Sequence, residues 1–291
     1  MANNPMERAS HSFVHIYDTL TGEDTIAAEF NTVVEAPFFT RDGSALYYNT
    51  QGKIYRLELA TGAITHIPTG EATLCNNDHV LSPDGKQMAV SSGHDGDWQS
   101  RIYTVNLATG ESTCLTPEPH SYLHGWSPDG RDIAFCGARD YGQGLEWDIY
   151  TIPAAGGPQT RLTNAPGLND GPEYSPDGKT IWFNSVRTGR MQVWKMNADG
   201  TQQTQMTFDE DWNAWFPHIS PDGKTVVYLV YRKEDLEPGE HLPDKQVELR
   251  RIPAQGGPEE TVLSLFGGQG TINVNSWSPD SRFFAYVSYR R

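Results

Sequence analysis

The sequence predicts an all-β protein: a six-bladed β-propeller of four-stranded antiparallel blades, closed by pairing of N- and C-terminal strands in one shared blade. Three observations predict it. One turn motif recurs six times along the 291 residues. Strand-forming runs follow each copy at fixed offsets. The two ends of the chain each carry half of a repeat unit.

The turn motif is Ser82-Pro83-Asp84-Gly85, Ser127-Pro128-Asp129-Gly130, Ser175-Pro176-Asp177-Gly178 and Ser220-Pro221-Asp222-Gly223. Thr40-Arg41-Asp42-Gly43 and Ser278-Pro279-Asp280-Ser281 are variants of it. Successive aspartates are 42, 45, 48, 45 and 58 residues apart. Proline presets φ for a tight turn, aspartate bonds the neighbouring backbone, and glycine accepts positive φ. The six aspartates therefore read as turn formers rather than as an acidic site.

Apolar runs follow each turn: Leu46-Tyr47-Tyr48, Met88-Ala89-Val90, Ile133-Ala134-Phe135, Ile181-Trp182-Phe183, Val226-Val227-Tyr228 and Phe283-Phe284-Ala285. They are rich in the β-branched and aromatic residues that strands favour. A third strand follows, as in Ile102-Tyr103-Thr104-Val105 and Ile149-Tyr150-Thr151-Ile152. Then comes a Gly-containing hairpin turn such as Thr109-Gly110 or Gly156-Gly157, and a short fourth strand such as Arg161-Leu162-Thr163. Four strands in about 45 residues is the signature of a propeller blade.

The N-terminal part supplies only third and fourth strands, around Val14-His15-Ile16-Tyr17 and Thr25-Ile26-Ala27. The C-terminal part supplies only the first two, around the Ser278–Ser281 turn. Together they make one blade, which removes exposed sheet edges. The expectation is a single propeller domain over residues 1–291. Its blades are expected at 31–69, 70–116, 117–163, 164–207 and 208–265, with a shared blade from 11–30 and 271–291. The charged segment 233–246, with Pro238, Gly239 and Pro243, accounts for the longest gap and reads as a mobile loop in blade five.

Acidic residues number 37 against 22 basic ones, a formal net charge of −15. That balance argues against nucleic acid, which needs a basic stripe, and against an anionic membrane surface. It favours cationic partners. Cys75, Cys114 and Cys136 are scattered, with neither a Cys-x-x-Cys pair nor zinc-ligand spacing. No segment reaches the roughly 20 apolar residues of a membrane span. The first residues carry no apolar signal-peptide core, so the expected location is cytoplasmic, or periplasmic for a chain trimmed of its signal. No cofactor motif is present and no cofactor is expected.

The Ser-Pro-Asp-Gly-Lys turn, apolar strand, Ile-Tyr, Gly-Gly and Leu-Thr of each unit resemble the propeller repeats of TolB and its relatives. The best matches are at 174–183 and 126–135, with Arg161-Leu162-Thr163 ending a blade. The likeness covers nearly the whole chain. It includes no counterpart of the α/β domain that precedes the propeller in TolB. Similar propellers also cap prolyl oligopeptidase-type enzymes, but no Gly-x-Ser-x-Gly nucleophile elbow occurs here. Oligogalacturonate lyases resemble the family too and use channel histidines with a metal.

Five residues before each turn Ser or Thr, the six units carry Glu35, Asn77, Tyr122, Asp170, Trp215 and Asn273. All six are polar or aromatic where the chain should enter the central channel. Two carboxylates, two amides and two aromatic rings suit a basic peptide segment or a small cation, with a hydrated rim as the plain alternative. Asn76, Asp78 and Asn169 add to the polar neighbourhood. His79, His124, His218 and Glu173 lie two or three residues before the turns and are the candidate metal ligands, against isolated inner-strand side chains as the simpler reading. A second loop set carries Asp95, Asp97, Trp98, Arg139, Tyr141, Trp147, Arg187 and Arg190, where recognition residues commonly sit.

The expected function is a non-catalytic scaffold that binds a protein, peptide or small ligand at the channel mouth. The alternative is a metal-dependent polysaccharide lyase or hydrolase using the three histidines.

Overall fold

Every Ser-Pro-Asp-Gly segment forms the turn its residues dictate. In this computed structural model, which describes residues 10–94 and 96–291, Ser82 Oγ donates to Asp84 Oδ1 at 2.7 Å, and Lys86 N–H donates to the same oxygen. Gln87 N–H donates back to Ser82 Oγ, which locks the entry to the next strand. Gly85 takes φ +70°, as such a turn requires. The Ser or Thr to Asp bond repeats in all six turns, at 2.5–2.7 Å. These hydrogen bonds lower the pKa of each turn aspartate.

Five four-stranded antiparallel sheets follow one another. Blade one comprises Glu35–Phe39, Ala45–Thr50, Lys53–Glu58 and Ile64–Ile67. Blade two comprises Leu74–Leu81, Gln87–Gly93, Arg101–Asn106 and Ser112–Cys114. Blade three is Ser121–Trp126, Asp132–Asp140, Leu145–Pro153 and Thr160–Arg161. Blade four is Asn169–Tyr174, Thr180–Ser185, Gln192–Asn197 and Thr204–Gln205. Blade five is Trp212–Ile219, Thr225–Arg232, Pro243–Pro253 and Glu260–Gly268.

The sixth sheet joins His11–Asp18, Asp24–Phe30 and Phe283–Arg290. His11–Asp18 lies in its middle, and its register runs from His11 opposite Arg290 to Asp18 opposite Phe283. The innermost strand of this blade shrinks to a bridge between Trp277 and Phe284. Arg282 clamps the far end by binding Asp18 Oδ2 at 2.6 Å. The sequence-predicted six-bladed ring and its shared closing blade are thus the architecture observed.

The core lies between blades rather than within them. Ile102 of blade two packs with Leu123, Ile133 and Phe135 of blade three. Trp182 and Val193 of blade four pack with Val226 and Tyr228 of blade five. Val14, Ala285 and Val287 of the shared blade pack with Leu46, Tyr48 and Leu57 of blade one. Each blade therefore buries its apolar faces only against its neighbours, so stability depends on the intact circuit.

The blade-five insertion departs from the expected free loop. Its third strand already begins at Pro243, so only residues 233–242 form the loop. Leu236 is buried in the core, and Tyr231 Oη donates to Leu242 O at 3.1 Å. The His241 ring packs edge-on to Trp215 and Phe216, with centroids 4.5 and 5.2 Å apart. An apolar anchor and two ring contacts hold the segment over the channel.

Candidate functional site

The inner strands of blades one to five, and the segment that takes their place in blade six, run along the central channel. In blades one to five each carries a register shift. Such bulges re-aim side chains, and proteins place them beside functional sites. In three blades the residue after the predicted ring position takes a left-handed conformation: Ala36 at φ 52°, Gly171 at φ 65° and Phe216 at φ 53°. A bulky aromatic there is uncommon, and its backbone cost is met by surrounding contacts. Phe216 N–H donates to Asn184 Oδ1 at 3.0 Å.

A cavity of about 650 Å³ opens at this end of the channel. Glu35, Asn77, Tyr122, Asp170 and Asn273 line it, each from a different blade. Trp215 does not. It holds the same strand register as Asp170, since Trp215 pairs with Leu229 as Asp170 pairs with Asn184. Yet it is fully buried among Met191, Tyr231 and Leu236. The loop carrying Leu236 and His241 covers it, and Phe216 and His241 line the cavity in its place. Sequence reasoning missed these two residues and Gln269, and placed Trp147 only on a loop. A bulky residue in a glycine-like bulge position leaves no composition signal.

A histidine–aspartate pair lines the cavity. His124 Nε2 lies 3.1 Å from Asp170 Oδ1, joining blades three and four. Gly171 N–H donates to the same oxygen at 2.8 Å. Burial opposes the charge on Asp170, but the His124 hydrogen bond and charge outweigh it and hold the pKa at about 2. Burial likewise opposes the charge on His124, and Asp170, with help from Asp78 and Glu173, reverses this and raises its pKa. The His124 ring stacks on Phe216, with centroids 5.9 Å apart.

Asp78 is the exception among these groups. It is 4% exposed. Burial, then the charge of Asp170, push its pKa up to about 6, although His124, Asn76 and Ser91 pull the other way. Asn76 Nδ2 donates to Asp78 Oδ2 at 3.0 Å. A carboxyl whose folded pKa exceeds its unfolded value costs stability once ionised. That cost is full above pH 6 and fades as pH falls toward the unfolded value near 3.8. Asp78→Asn should therefore raise Tm at pH 7.5 by roughly 2–5 °C, with the gain vanishing at pH 4. Calorimetry at the two pH values checks this, and a lower Tm at pH 7.5 would refute it.

One wall is aromatic. Tyr122 and Trp147 lie 5.9 Å apart, and burial raises the Tyr122 pKa to about 12. Asn273 Oδ1 accepts from Gly270 N–H at 2.6 Å, fixing the amide beside Glu35, whose side chain abuts Gly270.

The histidines do not converge. His79 is fully buried beside Phe38, and neither ring nitrogen has a hydrogen-bond partner among the described residues. Burial drops its pKa to about 3. His218 Nδ1 lies 2.7 Å from Glu173 Oε2, and its Nε2 lies 2.9 Å from Ile272 O. Glu173 Oε1 accepts from Ile219 N–H and Asn275 Nδ2. This set ties blades four, five and six together. Among the described residues, no group of three or more His, Cys, Asp or Glu side chains is arranged to hold a metal. A second cavity of about 390 Å³ opens at the opposite mouth, ringed by Pro83, Pro128, Pro176, Pro221 and Pro279. His124 lines both cavities.

The second loop set divides. Arg139 is consumed by Gln159, Ser121 and backbone carbonyls, and Arg187 by Asn169, Ser185 and Gln203. Asp97 binds Arg101. Asp95 lies outside the described residues. Trp98 remains 70% exposed.

Comparison with known proteins agrees with the architecture. The family model of the TolB β-propeller domain matches residues 100–249. An uncharacterized protein of Agrobacterium fabrum is 42% identical over 96% of this chain and 92% of its own length. A solved structure of a protein assigned to TolB from Agrobacterium tumefaciens superposes with a TM-score of 0.90 at 41% identity, covering 97% of this chain and 99% of that one. The Tol-Pal system protein TolB of Francisella tularensis is 26% identical over 95% of this chain, which spans 62% of that protein. An oligogalacturonate lyase from Vibrio parahaemolyticus, at 14% identity and a TM-score of 0.57 over 94% of this chain and 77% of its own, shares the fold alone. The repeat, the closed six-blade ring and these matches together place the chain in the TolB β-propeller family.

Proposed function

We propose that this protein is a non-catalytic scaffold that binds a protein partner on the channel-mouth face, with a segment of the partner entering the cavity. The observation that carries this reading is the set of large apolar side chains exposed on connections at the end of the blades where the cavity opens. Trp98, Tyr141, Leu145, Phe208 and Leu242 are large apolar side chains left exposed. Trp98, Tyr141 and Leu242 lie on or at the loops between second and third strands, and Leu145 at the start of a third strand. Phe208 lies on the connection from blade four into blade five. Both loop sets border the same mouth. Exposed aromatic anchors around a concave centre are the usual make-up of a protein-binding surface. The Francisella relatives are named as proteins of the Tol-Pal system, which supports a place in a protein assembly.

Two variants test the reading. Tyr122→Ala with Asp78→Asn alters the cavity, and Trp98→Ala with Phe208→Ala alters its surround. Quantitative affinity capture from the native host should show one partner retained by the wild type and depleted at least tenfold by each pair. An unchanged set of captured proteins for both pairs would end this proposal.

A further inference from the structure

We infer that the group this cavity takes is a guanidinium, the side chain of an arginine on the partner, an assignment that rests on the channel-mouth reading above. The charge of the lining is one-sided. Glu35, Asp78 and Asp170 supply carboxylates from blades one, two and four, and no lysine or arginine lines the cavity. The His124 imidazole, whose pKa Asp170 raises, is committed to Asp170 Oδ1. Gly171 N–H donates to that same oxygen. The Asp170 side chain is only 10% exposed. A carboxylate has about four lone-pair sites, so Asp170 can still accept an N–H from a ligand in the cavity. The elevated pKa of Asp78 agrees, because a second cation would relieve its repulsion from Asp170.

The walls select among cations. Tyr122 and Trp147 form an aromatic wall, and Phe216 lines the cavity beside the His124 ring. A guanidinium stacks on an aromatic face while its five N–H groups point outward in its own plane. An ammonium offers three donors, is more strongly hydrated and cannot stack in this way. Asn76, Asn77, Asn273 and Gln269 add amide acceptors around the same space. Acceptors spread around a volume bounded by aromatic side chains match a planar fork of donors better than a point charge.

The test uses the full chain and three small probes: N-acetyl-arginine amide, N-acetyl-lysine amide and N-acetyl-citrulline amide. Citrulline keeps the length and planarity of arginine and removes its charge. Binding is read from the indole signal of Trp147 in a protein labelled at tryptophan. The arginine probe should bind at least about tenfold tighter than citrulline and severalfold tighter than lysine. Asp78→Asn should erase most of the arginine-over-citrulline difference. Glu35→Gln provides a second variant on the opposite side should the first alter the fold. Equal affinity for arginine and citrulline, or tighter binding of lysine, overturns the inference. A displayed peptide library, selected on wild type and counter-selected on Tyr122→Ala, judges the underlying reading separately. Cavity-dependent peptides that tolerate arginine-to-citrulline exchange overturn the guanidinium and leave the protein-segment reading intact. Arginine binding with no cavity-dependent peptide does the reverse.

Discussion

A chain lacking residues 1–27 should lose its cooperative thermal transition and associate at micromolar concentration. The deletion removes His11–Asp18, the middle strand of the closing sheet, with its full register against Phe283–Arg290. It strips Val14 and Ile16 from the apolar cluster shared with blade one. It also removes Asp18, the partner of Arg282, and His15, whose Nε2 lies 2.9 Å from Ser288 Oγ and whose ring stacks on Tyr286 at 4.5 Å. What remains is a strand with open hydrogen-bonding groups along one edge, the form that invites pairing with another copy. Total stability of a folded domain is only about 5–15 kcal/mol, and two strands with their interface are a comparable quantity. Light scattering and calorimetry read the result. A synthetic peptide spanning residues 10–30 should restore the transition when added in excess. A truncated chain that stays monomeric and melts like the full one would show that the ring does not depend on this closure.

Trp215→Ala should lower Tm by about 10 °C while leaving the cavity's carboxylates in place. Trp215 is fully buried with Met191, Tyr231 and Leu249, so truncation opens a void. Emptying a large aromatic position costs about 3–5 kcal/mol, and for a chain of this size each kcal/mol moves Tm by about 2–4 °C. The effect extends to the loop above, because His241 loses its closest ring contact. Hydrogen exchange should therefore speed up across residues 233–242, which have few anchors besides Leu236 and the Tyr231 hydroxyl. A Tm within 2 °C of wild type would remove Trp215 from the core and return it to the mouth.

That single position shows where the sequence stops being readable. Counting five residues back from each turn finds the cavity in five blades, because turn geometry and strand register are local and repeat faithfully. Trp215 obeys the same register. Its fate is decided by Leu236 and His241, residues of a non-repeating loop that folds back over it. The histidines show a related limit. His124 and His218 are visible as inner-strand residues, but their partners Asp170 and Glu173 come from neighbouring blades, 46 and 45 residues away. No local pattern announces such pairs. The repeat motif, by contrast, writes the turns, the blade count and the closure into short stretches of chain, because proline, aspartate and glycine act on their own backbone.

The closing blade also sets a timetable. Residues 15 and 288, which touch in the finished ring, are 273 positions apart. At 5–20 residues per second on the ribosome, the second is made roughly 14–55 s after the first. Through that interval the His11–Asp18 segment has no partner on its Phe283–Arg290 side, while blades one to five can assemble in order. The last bond of the circle thus forms only after the five other blades have been made, and any helper that shields a waiting strand during synthesis would have its client at residues 11–30.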